Sequence, residues 1–259
     1  MTDTATVSKR SVTPHKRTDS HARHRTRDWG RAFRAFQRLM ANKEDTSQVF
    51  AIMHALNGEA TKVDYIRLLA TPDGGKIAYQ RMELAEKLMD DAWRSSFPPG
   101  SVGEAYHNYL ETEHLSPGGL IDESHKGVPP EELDQSHPYA WYFRRVRDVH
   151  DIWHVLTGYG RDALGEMCLV AFSFQETHGP GWALIAAGGF LRAHGPAAGK
   201  ARKAILEARR MGKHAVWLGG EDYEKMLFEP LEDARRRLGI TRPLAYEAVP
   251  PTFRDLAIV

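Results

Sequence analysis

From Asp28 onward the apolar residues of this chain recur at intervals of three and four, the spacing of a helix face. WGRAFRAFQRLMA places Trp29, Phe33, Phe36 and Leu39 on one stripe. EDTSQVFAIMHALNG repeats the pattern with Val49, Ile52, Met53 and Leu56 and is expected to stop at Gly58. MELAEKLMDDAW and VGEAYHNYLETEHL predict two more helices, with a turn at FPPG between them. A long helix is expected over about 139–157, ending at Gly158, and another from an N-cap at Asp162 to about residue 177. After the break at HGPGW come a small-residue helix over 182–193, a basic amphipathic helix in AAGKARKAILEARRMGKHA, and a final pair broken at Pro230. Residues 116–138 carry Pro117, Gly118, Gly119, Gly127, Pro129, Pro130 and Pro138 and predict a long loop. No segment alternates with the period of a strand. The expected fold is all-α: a single helical domain over 29–259, preceded by a flexible, disordered basic arm over 1–28.

Charge and composition exclude several classes. Hydrophobic residues make up 42% of the 259, enough for a sizeable core. A net charge of +1 gives no general pull toward nucleic acid. The single cysteine, Cys168, cannot form an intrachain disulfide and suits a reducing compartment. The longest apolar run, GWALIAAGGFL, is too short and too glycine-rich to cross a bilayer. The arm holds Lys9, Arg10, Lys16, Arg17, Arg23, Arg25 and Arg27 without an apolar signal core; a solvated tail is the commoner role, attraction to anionic lipid the sharper one.

The chemistry concentrates in HDIWHVLTGYGRDALGE, residues 150–166. On a wheel of 100° per residue, His154 lies about 40° and Asp151 about 100° from His150, while Val146, Val149, Trp153 and Leu156 share another face. Two histidines four apart with an adjacent carboxylate can grip one ion. Glu166 lies on the next helix, which is apolar almost all the way round, so its charge needs a partner. Gly158 and Gly160 could fold that helix back and bring all four groups together. The competing account is a surface histidine pair with Glu166 salt-bridged to an arginine. Arg147 falls between the ligand azimuths and could pair with an anionic substrate or be an ordinary surface arginine. Trp153, Tyr142 and Cys168 read as core. Gly188 and Gly189 could open a slot for a lipid tail or serve close helix packing. Arg202, Lys203, Arg209, Arg210 and Lys213 form a basic face, solvated or bound to lipid head groups.

The pattern HDxxH, eleven residues, then E resembles the hallmark of the Coq4 family of ubiquinone biosynthesis proteins, with His150, Asp151, His154 and Glu166 at its positions. AFRAFQRLMANKEDTSQVFAIMHALNG, FPPGSVGEAYHNYLETEHLSPGGL, HPYAWYFRRVRDVHDIWHVLTGY and PLEDARRRLGI also resemble family segments, in family order, over about residues 30–240. The resemblance implies a helical protein that binds zinc through the motif and holds an isoprenoid lipid. It implies C1 decarboxylation with hydroxylation of a polyprenylated 4-hydroxybenzoate-derived head group, a prenylated benzoquinone precursor, and organisation of other ubiquinone-biosynthesis enzymes at a membrane surface. That surface would be the inner face of the cytoplasmic membrane in a bacterium, or the matrix side of the mitochondrial inner membrane in a eukaryote; a homodimer is compatible with this. Two imidazoles and two carboxylates suit zinc, and nearly as well Fe(II) or Mn(II). A non-catalytic lipid-binding scaffold with a structural zinc is the alternative, since four protein ligands close the shell. A phosphohydrolase built on a His-Asp dyad would want further ligands on separate helices.

Overall fold

The computed structural model describes residues 27–42, 45–133, 136–255 and 257. Among these residues the architecture is all-α, as expected, and no strand forms beyond an isolated bridge between Ser101 and Pro230. The arm expected over 1–28 lies outside the described residues except for its last two, of which Asp28 caps the first helix by accepting a 2.8 Å hydrogen bond from the Arg31 N–H. The helices of two turns or more are α1 (Trp29–Ala41), α2 (Ser47–Leu56), α3 (Gly58–Leu69), α4 (Val102–Thr112), α5 (Gly119–Gly127), α6 (Pro138–Asp148), α7 (His150–Thr157), α8 (Ala163–Thr177), α9 (Pro180–Arg192), α10 (Ala198–His214) and α11 (Leu231–Leu238).

Four boundaries differ from the sequence reading. Gly58 starts α3 instead of ending α2, because Asn57 alone makes the corner. The loop expected over 116–138 contains α5 and the turn of helix Pro130–Leu133, whose proline sits at the helix start, where its missing N–H costs nothing. The helix expected over 139–157 is two, α6 and α7, joined at Val149 (ψ −2°). The helix expected in MELAEKLMDDAW is split into Leu84–Leu88 and Asp91–Arg94, the second capped by the Asp90 carboxylate.

α8 is the axis of the molecule. Leu164, Cys168, Leu169, Ala171 and Phe172 join one core cluster with residues of α4, α7, α10 and α11, while Val170 belongs to a second with α1, α2 and α9. A helix apolar on every side can satisfy itself only when helices cover it on every side. Trp153 and Tyr142 are core, as read, their polar atoms donating to Tyr223 Oη and the Gly219 carbonyl. The small residues of α9 open no slot: Phe36 fills the space over Gly188 and Met167 the space over Gly189, where an added Cβ would come within 2.4 and 2.3 Å of them. Arg202 leaves the basic face of α10 and donates to the carbonyls of Phe190 and Ala193, closing the end of α9.

Behind the core, Asp64 on α3 and Glu176 on α8 are both buried. Burial raises Asp64 to about 7 against the pull of Arg67, and raises Glu176 to about 8 although the Leu218 N–H donates to it at 2.7 Å. In both cases the folded chain binds protons more tightly than the unfolded one, so stability falls as pH climbs from the ordinary carboxylate values up to these, and levels off above them. The melting temperature should therefore decline between about pH 5 and 8, and Asp64→Asn or Glu176→Gln should flatten that decline; an unchanged slope in both variants would refute the assignment. Gly58→Ala tests the α2–α3 corner. Nothing lies within 4 Å of the new Cβ and φ there is not positive, so the variant should be stabilised by roughly 0.5–1 kcal/mol, whereas a left-handed helix stop would be destabilised.

Candidate metal centre

The ends of α7 and the turn after it are held by contacts from distant parts of the chain. Gly158 adopts φ +76°, a left-handed conformation that favours glycine, and its N–H donates to the His154 carbonyl at 2.8 Å. Arg235 of α11 donates to the carbonyls of Leu156 (2.9 Å) and Val155 (2.8 Å), orphan acceptors of the last helical turn. Tyr246 Oη accepts from the Gly160 N–H at 3.0 Å and donates to the Asp162 carboxylate. Asp162 in turn caps α8, accepting from the Gly165 N–H at 2.9 Å. The turn is fixed at each step, and it delivers Glu166, in the first turn of α8, onto the histidines of α7.

The Nε2 atoms of His150 and His154 stand 3.3 Å apart. Glu166 places one carboxylate oxygen 3.7 Å from His150 Nε2 and the other 3.4 Å from His154 Nε2. Asp151 offers a carboxylate oxygen in a group with the two imidazoles, all within 4.8 Å of one another. Of the four residues singled out in the sequence, His150, Asp151 and His154 form this group, and Glu166 faces it through the two imidazoles. His154 and Asp151 are buried, while the side chains of His150 and Glu166 are 21% and 34% exposed. Glu166 is therefore less buried than its apolar helix suggested: it lies at the open side of the cluster, with His150.

Arg147 is held elsewhere. Its guanidinium donates to Asp148 (2.8 Å) and Ser124 (3.0 Å), in a buried ion pair. Sequence reasoning did not single out Tyr109, on α4, whose ring stacks on that of His154 with centroids 5.6 Å apart and planes at 20°. Nor did it find Tyr246, since neither residue lies near the motif in sequence; only the packing of α4 and of the C-terminal segment brings them in.

The electrostatics follow from the geometry. Burial works against a charged His154, yet the Glu166 carboxylate overrides it and raises the imidazole above its ordinary value. Burial would likewise raise Glu166, but His154 foremost, with His150, holds it well below the usual carboxylate range. His154 Nδ1 lies 2.9 Å from the Tyr159 carbonyl, which can only accept, so Nδ1 carries hydrogen and the neutral ring turns its lone pair at Nε2 toward the cluster.

The residues fit a cation. Two ligands about 2.0–2.1 Å from a tetrahedral zinc stand roughly 3.3 Å apart, which is the separation of the two Nε2 atoms. Asp151, buried and within 4.8 Å of the two imidazoles, places a carboxylate beside the nitrogen pair, where a cation would balance its charge. A nitrogen and carboxylate donor set suits zinc, and also Fe(II) or Mn(II).

Comparison with known proteins agrees with the motif. The family model for "Coenzyme Q (ubiquinone) biosynthesis protein Coq4" matches residues 34–244. The mitochondrial COQ4 homolog of Bos taurus is 29% identical over 197 residues, covering 74% of this chain and 71% of its own. That of Xenopus tropicalis is also 29% identical, covering 74% and 67%. A crystal structure of a protein from Nostoc punctiforme, assigned to ubiquinone biosynthesis, superposes with a TM-score of 0.60 at 19% identity, covering 83% of this chain and 99% of that one, and so shares the fold. With the family model matching from α1 to the end of the helical body, the chain belongs to the Coq4 family of ubiquinone biosynthesis proteins.

Proposed function

We propose that this protein is a metal-dependent enzyme of ubiquinone biosynthesis. Its reaction removes the ring C1 carboxylate of a polyprenylated 4-hydroxybenzoate-derived head group as carbon dioxide and hydroxylates that carbon, a two-electron oxidation with dioxygen as the oxidant, water supplying the hydroxyl and hydrogen peroxide leaving. The observation that carries the reading is the pair of imidazole nitrogens 3.3 Å apart, faced by Glu166 from a second helix and joined by the buried Asp151. Zinc bound there would supply Lewis acidity, polarising the phenolic oxygen of the ring and stabilising charge that develops on it. His154, oriented by the Tyr159 carbonyl, presents Nε2; Asp151 supplies the buried charge; Glu166 closes the cluster from the side. The partial exposure of His150 and Glu166 supports access from solvent, which chemistry needs and a purely structural ion does not.

A non-catalytic, prenyl-lipid-binding scaffold with a structural zinc is the second reading: the three grouped residues and Glu166, which faces the imidazoles, would together make four protein donors, a full tetrahedral shell. Peripheral contact with a membrane is supported by α1, which exposes Trp29 (54%) and Phe33 (56%) one turn apart beside Arg34 and Arg38. No helix among the described residues is long and apolar enough to cross a membrane. Organisation of other enzymes of the same pathway would take place at that surface.

Two measurements test this. Purified, zinc-loaded protein incubated aerobically and anaerobically with a prenylated 4-hydroxybenzoate derivative should release carbon dioxide; none under either condition would favour the scaffold. Glu166→Gln keeps the shape and removes the charge. It should weaken zinc binding by roughly tenfold or more, and activity with it, while the melting curve stays cooperative. Undiminished zinc affinity in that variant would remove Glu166 from the ligand set.

A further inference from the structure

We propose that Tyr109 is a further catalytic residue of this centre, its phenolic O–H donating a hydrogen bond to an anionic oxygen of an aromatic acid bound beside the histidine pair. The proposal rests on the metal-centre reading above and names a residue outside the motif as the one that receives the ligand.

Three observations carry it. The Tyr109 ring is partly buried and lies at the site: α4 packs on α7, and the ring is nearly parallel to that of His154, 5.6 Å away. Its hydroxyl oxygen is shut off from solvent and has no hydrogen-bond partner among the described residues. An O–H buried without an acceptor is costly, and two carboxylates, Asp151 and Glu166, are close enough for their charges to act on it, yet neither accepts its hydrogen. The donor is thus left for an acceptor that the chain does not provide.

The surroundings indicate the charge of that acceptor. Arg161, in the turn between α7 and α8, also acts on Tyr109. Its side chain is 42% exposed, and its distance to Glu113 is 3.8 Å, a loose pairing that leaves the guanidinium available to a carboxylate. A ring bearing a carboxylate or phenolate would meet Arg161 at its edge and the Tyr109 hydroxyl at its reacting end. Tyr159, the other tyrosine with an unpartnered buried hydroxyl, does not compete for this role: its ring packs on Tyr246, and the ionisable groups that act on its phenol are Cys168 and Glu207, not those of the cluster.

A purely structural tyrosine makes the opposite prediction. Phenylalanine keeps the stacking on His154 and removes an unsatisfied hydroxyl, so Tyr109→Phe would be neutral or stabilising with no other effect. The test uses the full chain loaded with cobalt(II), whose visible absorption reports the coordination sphere, titrated with 4-hydroxybenzoate. Tyr109→Phe should bind one cobalt with affinity within about threefold of the wild type and melt no lower. Its dissociation constant for 4-hydroxybenzoate should rise about tenfold or more, the loss of one hydrogen bond to a charged oxygen. Equal constants for the two proteins overturn the role of Tyr109 alone. A parallel loss of cobalt affinity makes Tyr109 a support of His154 and overturns the proposal too. Wild-type protein that binds cobalt but not 4-hydroxybenzoate overturns the ligand class. If the wild type binds no cobalt, the metal-centre reading itself fails.

Discussion

Burial of α8 along most of its surface is the constraint around which the rest of the molecule is arranged. Its residues leave no polar face, so α9 and α10 pack along it, α1 and α2 reach it through α9, and α7 and α4 close the remaining side. A helix held so completely cannot slide or rotate without breaking the packing of several partners at once. That rigidity fixes where the first turn of α8 points, and Glu166 is in that turn. The candidate metal centre therefore inherits its geometry from the core: the two helices that bear its residues meet at a defined angle because one of them has no freedom.

The polar groups at this junction divide into those that complete their hydrogen bonds and those that do not. Arg235, Tyr246, Asp162 and the Tyr159 carbonyl satisfy backbone and ring atoms around the turn and stabilise it. The Tyr109 hydroxyl, beside the group formed by His150, Asp151 and His154, is left without a partner among the described residues. Titratable groups gathered at one place beside an unpartnered donor have the character of a candidate binding site. Asp64 and Glu176 solve burial differently, by rising in pKa and holding protons near neutrality.

The centre was legible where its chemistry is local. His150, Asp151 and His154 lie within two turns of one helix, so their spacing alone puts them on one stripe, and the break at Val149 comes before the first of them and disturbs nothing. Glu166 was legible for a different reason: a carboxylate in an apolar helix demands a partner, and the glycine-bearing turn offered one. What the spacing could not give was its exposure, a third of the side chain, which depends on where neighbouring helices stop. Arg147 shows the same limit from the other direction. The wheel set it among the ligands, and a long, flexible side chain turned instead to Asp148 and Ser124, one of them on another helix.

The sequence by itself determined the helical class, most helix centres, the family and the four clustered residues, because each of these rests on spacing or residue type along a single stretch of chain. Tertiary structure alone decided that Phe36 and Met167 fill the room over Gly188 and Gly189, that Arg202 closes α9 instead of facing solvent, and that Tyr109 and Tyr246 belong to the site. These depend on which surfaces of distant helices meet, and residues 109 and 246 are brought to the motif only by burial of apolar area shared among α4, α7, α8 and the C-terminal segment. A one-dimensional period specifies which face of a helix is buried; it does not specify what the face is buried against.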